Sequence, residues 1–244
     1  MNTEKQHLLG LVASIQYDRN LFRQDIGDNK YIMGCMTHTP APSDFFVYKT
    51  IYDSILDLDQ KIKKSFNSAL EWEYSCDIKN FSMVSTPTKE ESEAIYYTEN
   101  AIFRTSVLWD LLAQLYNIKY HENNNPDKVY YSTLFHNDTQ GKHPNQFAIQ
   151  VYSYIAEENP EEVSDNPDGT WKGNHSYITN YRNQMTHRNS PNVATISNYA
   201  VELRMPMRYV LKRAIEDYAQ ASGFITQLLS AVIPELNNEA YVVE

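Results

Sequence analysis

Apolar residues recur at helical spacing along most of the chain. From Phe45 to Phe66 they follow one another at steps of three to five residues, near the period of an amphipathic α-helix. A second run opens at Lys89, after the break at Ser85–Thr88, and continues to about Asn117. The pattern therefore predicts two long helices, each with one apolar side.

Further helical segments follow toward the carboxyl end. They are predicted over 144–157, over about fifteen residues between Gly173 and Pro191, and from Pro206 to about Val232. A short helix is possible over Leu8–Ile15, and only residues 198–203 alternate weakly in the manner of a strand. We predict an all-α bundle of about five main helices. Residues 1–42 are predicted to be an irregular N-terminal extension, and 43–244 the helical domain.

Composition agrees with a helical protein. Glycine supplies only 7 of the 244 residues, too few for a fold rich in tight turns and phosphate loops. The 2 cysteines, Cys35 and Cys76, form no metal-binding pair and are predicted to be core residues in a reducing compartment. The apolar stretch Leu8–Ala13 is too short to span a bilayer or act as a signal peptide. A soluble, cytoplasmic protein without membrane attachment is expected.

Familiar catalytic and metal-binding motifs are missing from the sequence. It has no glycine-rich phosphate loop, no H-E-x-x-H and no G-x-S-x-G. His136 and His143 are predicted to lie on a polar, solvated loop without a cysteine partner, which argues against a zinc site. No metal and no cofactor are predicted.

One segment combines residues suited to acid–base and anion chemistry. Arg182 and Asn183 are followed by His187, four residues after the asparagine, on a predicted helix. Asn183 and His187 should share a polar side with Asn180, and the long Arg182 side chain at its border can swing toward it. An alternative interpretation is that the arginine and histidine merely complement the negative end of the helix dipole. The opposite side should face the core with its apolar residues: Ile178, Tyr181 and Met185.

Charge is distributed unevenly around this segment. The whole chain carries −10, but residues 171–213 contain seven basic residues and one acid, which leaves −16 for the rest. This partition is typical of a local anion site on an otherwise repulsive molecule. We therefore predict that Arg188, Arg204 and Arg208 bind RNA or phosphate.

A helix that reads Y-R-N-x-x-x-H within an all-α chain resembles the HEPN superfamily, through Arg182, Asn183 and His187. The run Glu99–Asp110 also looks like the long first core helix of a prokaryotic HEPN branch. The resemblance covers about residues 45–232. It implies metal-independent RNA cleavage in a cleft that two protomers form together.

The resemblance also implies roles for individual residues. His187 would act as general base or acid, Arg182 would bind the scissile phosphate, and Asn183 would orient the imidazole or the substrate. The products would carry 2′,3′-cyclic phosphate and 5′-hydroxyl ends. HEPN helices can also place an acid near the cleft, for which Glu99 and Asp110 are candidates. An ion pair of Asp110 with Arg104 or another base is an equal alternative.

These features support three functional interpretations. The leading one is a homodimeric HEPN endoribonuclease with a toxin or phage-defence role, restrained by an antitoxin or regulatory protein. The alternative is a non-catalytic HEPN module that binds a nucleotide or a protein partner. The third is a helical interaction protein, which burial of the motif helix with His187 facing the core would favour.

Overall fold

Helices dominate the computed structural model, which confirms the predicted all-α class. It describes residues 3–22, 24–25, 31–32, 44–75, 81–120, 128–141, 144–159, 171–187, 190–196 and 201–238. Within these ranges the helices are α1 (Thr3–Ser14), α2 (Asp44–Glu73), α3 (Lys89–Lys119), α4 (Tyr131–Thr139), α5 (Gln146–Ile155), α6 (Asn174–His187) and α7 (Met207–Asn238). Three antiparallel pairs of two-residue strands connect them: β1 (Gln24–Asp25) with β2 (Tyr31–Ile32), β3 (Glu158–Asn159) with β4 (Trp171–Lys172), and β5 (Thr195–Ile196) with β6 (Val201–Glu202).

The three long helices form the centre of the bundle. α2 and α7 both pack along α3, and the shorter helices close the sides of this unit. Each large apolar side chain buried there stabilises the fold by about 1.5–3 kcal/mol. None of the helices in the described ranges has the length and apolar character needed to cross a bilayer. Side chains fully enclosed in the centre include Ile55, Ile62, Phe66, Leu108, Leu112, Leu211 and Ile225.

A capping box explains where α3 begins. The Thr88 hydroxyl oxygen accepts the backbone N–H of Glu91 at 3.2 Å, and Glu91 Oε2 accepts the backbone N–H of Thr88 at 2.7 Å. The two contacts satisfy amide groups that the first helical turn leaves without partners. The predicted break before Lys89 therefore lies at this cap.

α4 corrects the prediction of a polar loop around His136. Its buried side chains are Tyr131, Leu134 and Phe135, too few for a clear helical period. Tyr130, at the N-cap position, makes no capping bond through its side chain. Asp110 on α3 instead accepts the backbone N–H of Tyr131. Because this acceptor is distant in sequence, local pattern could not reveal the start of α4.

α1 forms where a short helix was possible over Leu8–Ile15, inside the predicted irregular extension 1–42, and it begins earlier, at Thr3. Leu8 and Val12 are buried in the common core, where α1 packs on α2 and α7. Lys63 on α2 also donates to the carbonyl oxygen of Ile15 at 2.6 Å. Residues 3–22 therefore belong to the bundle. Cys35 and Cys76 lie outside the described residues.

A buried carboxylate joins the end of α2 to the start of α7. Glu73 accepts the backbone N–H of Arg208, and its Oε1 lies 3.6 Å from Arg208 Nε. The side chain is only 2% exposed, and burial raises its pKa to about 7. The positive charge of Arg208 opposes this rise, whereas Glu91 and Glu4 add to it.

Glu73→Gln should remove a pH-dependent part of the stability. The folded chain holds a proton on Glu73 up to about pH 7, whereas the ordinary pKa is 4.5. The Glu73 contribution to the free energy of unfolding therefore falls as the pH rises between these values. Urea unfolding across this range should show that fall in the wild type and not in Glu73→Gln. Glu71→Gln, an exposed change on the same helix, is the control; identical profiles for wild type and Glu73→Gln would contradict the prediction.

Candidate functional site

Gly173, the residue before α6, packs closely against Glu157. The N–H of Gly173 donates to the carbonyl oxygen of Glu157 at 2.9 Å, next to the β3–β4 pair. A Cβ atom at residue 173 would lie 2.8 Å from the Glu157 Cβ and 3.0 Å from its carbonyl oxygen. Only glycine allows this close approach of the two backbones. The first turn of α6 is thus held against the end of the α5 segment.

The two sides of α6 have the predicted orientation. Ile178 and Tyr181 are buried, and Met185 packs against the core. Asn180 and Asn183 are exposed on the other side. His187 is the final residue of α6; its side chain, and Arg188 entirely, lie outside the described residues.

Arg182 lies at the border of the exposed side, and its charge acts on Asp110 of α3 and Tyr131 of α4. Its Nη2 donates to Asn183 Oδ1 at 3.1 Å. Burial raises the pKa of Asp110, while the backbone N–H of Tyr131 and the charge of Arg182 act against the rise. Arg104 instead donates to the carbonyl and side-chain oxygens of Asn100, at 2.8 and 2.9 Å. The cation that stabilises the Asp110 carboxylate is therefore Arg182.

Glu99 contacts the segment that follows α6. Its Oε1 accepts Asn192 Nδ2 at 2.8 Å, and Asn192 Oδ1 accepts the Tyr181 hydroxyl at 2.9 Å. Burial raises the pKa of Glu99, and the bond from Asn192 partly opposes this. Glu99 and Asp110 are eleven residues apart, close to three helical turns, and so share one strip of α3. Of the two predicted acids, only Asp110 has a pKa that the charge of Arg182 lowers.

Burial contradicts the predicted phosphate-binding role of Arg204. Its side chain is 3% exposed, Nη2 lies 3.4 Å from Glu91 Oε2, and Nη1 donates to the carbonyl oxygen of Ser85 at 2.6 Å. Arg208 is 38% exposed and is paired with Glu73, with its guanidinium 4.6 Å from the Tyr74 ring centre. The acids that pair with these arginines, Glu91 and Glu73, lie outside residues 171–213. The net charge of +6 on residues 171–213 therefore overstates the positive charge available to a phosphate.

A buried carboxylate on α7 joins α6 to two other helices. Asp217 is 2% exposed and accepts hydrogen bonds from Trp109 Nε1 on α3 and from the Tyr154 hydroxyl on α5. It also accepts one from His175 Nδ1 on α6, and each of the three bonds is 3.1 Å long. With three donors on two oxygens, the carboxylate is well satisfied without water.

His175 extends this contact to α4. With its proton on Nδ1, directed at Asp217, the other ring nitrogen is an acceptor. That nitrogen lies 3.0 Å from the Tyr131 hydroxyl and 3.3 Å from Thr179 Oγ1. The charge of Arg182 acts to lower the pKa of Tyr131, against the rise that burial causes. The buried chain from Asp217 through His175 thus ends at a tyrosine on which the charge of Arg182 acts.

Sequence reasoning missed this buried chain. His175 precedes Ile178 by three residues on the core side of α6, and Asp217 lies within the apolar stripe of α7 beside Ala214 and Tyr218. A polar residue in an apolar stripe signals a buried hydrogen bond. The identity of its partners could not be inferred, because they come from other helices.

No candidate metal centre is found in the described part of the chain, where no three His, Cys, Asp or Glu side chains are grouped to hold an ion.

Comparison of the sequence with protein-family models and curated proteins, and of the fold with solved structures, gives no match.

Asp217→Asn should destabilise the protein by about 2–5 kcal/mol, because the amide meets three buried donors with only one acceptor oxygen. The control is Glu216→Gln on the same helix, where a half-buried carboxylate accepts only Asn174 Nδ2 at 2.8 Å. We expect that change to cost less than about 1 kcal/mol. Urea unfolding measures both, and equal costs would contradict a central role for Asp217.

Proposed function

We propose that this chain is a metal-independent endoribonuclease of the HEPN type, acting as a homodimer. The observation that carries the proposal is the orientation of α6. Its inner side is held in the core by Ile178 and Tyr181, while Asn183 faces solvent and Arg182 borders the same side. This arrangement presents Arg182 and Asn183 to a ligand on a rigid support, as a catalytic site requires.

The proposed reaction is an internal transesterification of RNA. The 2′-oxygen attacks the adjacent phosphorus, and the bond from phosphorus to the 5′-oxygen breaks. His187 takes the 2′-hydroxyl proton while water protonates the leaving 5′-oxygen, or it protonates that oxygen while water takes the 2′-hydroxyl proton, since imidazole titrates near neutral pH. Arg182 donates to the phosphate oxygens, whose negative charge grows in the transition state. The products carry a 2′,3′-cyclic phosphate and a 5′-hydroxyl.

Asp110 is the acid that we assign to this site, as a positioning residue. Its carboxylate accepts the backbone N–H of Tyr131 at the start of α4, and the charge of Arg182 lowers its pKa. In the proposal, its negative charge helps to orient the guanidinium, which donates to Asn183 on α6. Glu99 bonds to Asn192 instead and supports the segment after α6.

A second copy of the chain completes the proposed cleft. Tyr96, Phe103 and Val107 are exposed by 59%, 39% and 45%, and their spacing places them on one side of α3. This apolar stripe borders the strip that carries Glu99 and Asp110. A second copy that covers this stripe would place its own α6 motif near the α6 motif of the first copy. We therefore propose the stripe as the dimer contact.

His187→Ala and Arg182→Ala should each abolish most RNA cleavage in the presence of a chelator. Loss of a general base typically lowers the rate by about 10²–10⁴-fold, and loss of a charge-stabilising donor by about 10²–10³-fold. The assay follows mixed RNA on a gel and tests the new ends for cyclic phosphate.

Matched controls are His136→Ala on α4 and Arg19→Ala after α1, both exposed positions outside the site. They should cleave at the wild-type rate. Undiminished cleavage by either motif variant would refute the mechanism. No cleavage by the wild type, together with nucleotide or protein binding, would favour the non-catalytic module.

Phe103→Glu should give a folded monomer with little cleavage, because a charge in the apolar stripe opposes its burial by a second copy. Val84→Glu, at a position 59% exposed before α3, is the matched control and should remain dimeric. Sedimentation velocity measures the mass, and circular dichroism confirms the fold. A wild-type chain that cleaves RNA as a monomer would rule out the composite cleft.

A further inference from the structure

A groove runs along the surface between α2 and α3. Its two parts share Thr50, so they form one continuous depression. One part joins Phe46 at the start of α2 to Ile118 near the end of α3, and the other joins Leu58 to Val107. The two helices therefore run antiparallel along the groove. Between Val107 and Ile118 it extends for about 16 Å, which is the length of three helical turns.

The two walls of the groove repeat with the same spacing. Four lining residues on each helix follow one another at steps of four, three and four residues. This is the repeat at which side chains of one helix fit between those of its neighbour in a coiled coil. A third helix laid between α2 and α3 would thus meet matching positions on both walls. These positions are Val47, Ile51, Ser54 and Leu58 on α2, and Val107, Leu111, Gln114 and Ile118 on α3.

The walls of the groove are mainly apolar. Val107 is 45% exposed, and four further apolar residues of the walls are only partly buried. These four side chains pack on the core from one side and line the groove with the other. Removal of such apolar surface from water is the main driving force for protein association. The four residues are Val47, Leu58, Leu111 and Ile118.

The charged residues that line the described groove are both acidic. Asp53 and Asp57 lie on α2, and their side chains are 57% and 60% exposed. Each forms an ion pair along α2, Asp53 with Lys49 and Asp57 with Lys61. Exposed pairs of this kind are weak, and the carboxylates retain acceptor capacity for a further donor. The rim of the groove therefore favours a ligand with basic groups.

We propose that the groove binds an amphipathic helix of a partner protein, which has one apolar side flanked by basic residues. The matched spacing of the two walls selects a helix, and the apolar walls select its buried side. Asp53 and Asp57 select the charge of its flank. A helix anchored in an apolar groove at every third or fourth residue is a recurrent mode of recognition.

A second copy of the chain fits the groove less well. Within the described helices, the large apolar side chains that are exposed lie on α3, at Tyr96, Phe103 and Val107. α3 contains five acidic and three basic residues. Its insertion would therefore bring further acids to Asp53 and Asp57, and like charges oppose such a contact.

Val107 belongs both to the groove and to the apolar stripe of the proposed dimer contact. A helix that covers Val107 would exclude a second copy from this part of the stripe. We therefore expect the partner to oppose the dimer, and with it RNA cleavage. This consequence rests on the proposed function, whereas binding of the helix does not.

Two designed peptides of about 18 residues, long enough to form a helix, test the proposal. Both have leucines at steps of four, three and four residues; one has lysines beside them, and the other has glutamates. Fluorescence anisotropy with the full chain should give the lysine peptide a Kd below about 100 µM. The glutamate peptide should bind at least about 5-fold more weakly. Equal affinities, or no binding of the lysine peptide at that concentration, would overturn the inference.

Asp57→Lys tests whether the peptide lies in the groove. The change replaces an acid of the rim by a base, so the lysine peptide should bind about 5–10-fold more weakly and the glutamate peptide more tightly. Glu71→Lys, an exposed change on the same helix outside the groove, is the matched control and should bind as the wild type does. Unchanged affinities in a folded Asp57→Lys protein would refute the assignment.

Sedimentation velocity separates this inference from the proposed function. Saturating lysine peptide should convert a dimeric wild type to monomers, and a dimer that keeps the peptide bound would contradict the competition. Phe103→Glu, on the stripe but outside the groove, should bind the lysine peptide at least as tightly as the wild type does. A monomeric wild type that binds this peptide would refute the proposed dimer and support the groove. A dimer that Asp57→Lys weakens, with neither peptide bound, would identify the second copy as the occupant and overturn the inference.

Discussion

The buried carboxylate of Asp217 is the constraint on which the arrangement of the helices depends. A carboxylate in the core is strongly destabilising unless donors surround it. Here the donors are Trp109, Tyr154 and His175, from three different helices. A small shift of α3, α5 or α6 would lengthen one of these bonds, and the buried carboxylate would then destabilise the fold. The packing of apolar side chains alone would tolerate such sliding much more readily.

This constraint has its main effect along α6. The first turn is held by the close approach of Gly173 to Glu157 and by His175, and the middle of the helix by Ile178 and Tyr181. Asn183 lies on the opposite side and Arg182 at its border, beyond these contacts. Groups that would never touch a substrate therefore fix the orientation of these two residues, which is how a preorganised site is usually supported.

Periodicity predicted the long helices because burial of one side determines them, and α3 also carries a readable cap at Thr88. It failed for α4, whose first amide is accepted by Asp110 on another helix. The count of basic residues failed in the same way, since Arg204 is neutralised by Glu91, more than a hundred positions earlier. The orientation of Arg182 and Asn183 on α6 was predictable, whereas the buried chain through His175 and Asp217 depends on tertiary contacts.

The buried pair of Glu73 and Arg208 bears on how the sequence can change. Glu73 Oε2 and Arg208 Nε are shielded from solvent and have no hydrogen-bond partner, and each such atom destabilises the protein by about 1–3 kcal/mol. Exchange of both residues for apolar residues of similar size would be neutral or stabilising. Selection for stability alone would thus replace the pair within a few substitutions. Retention of the pair in related chains would mark it as conserved for use, and its loss would mark a lineage released from that use.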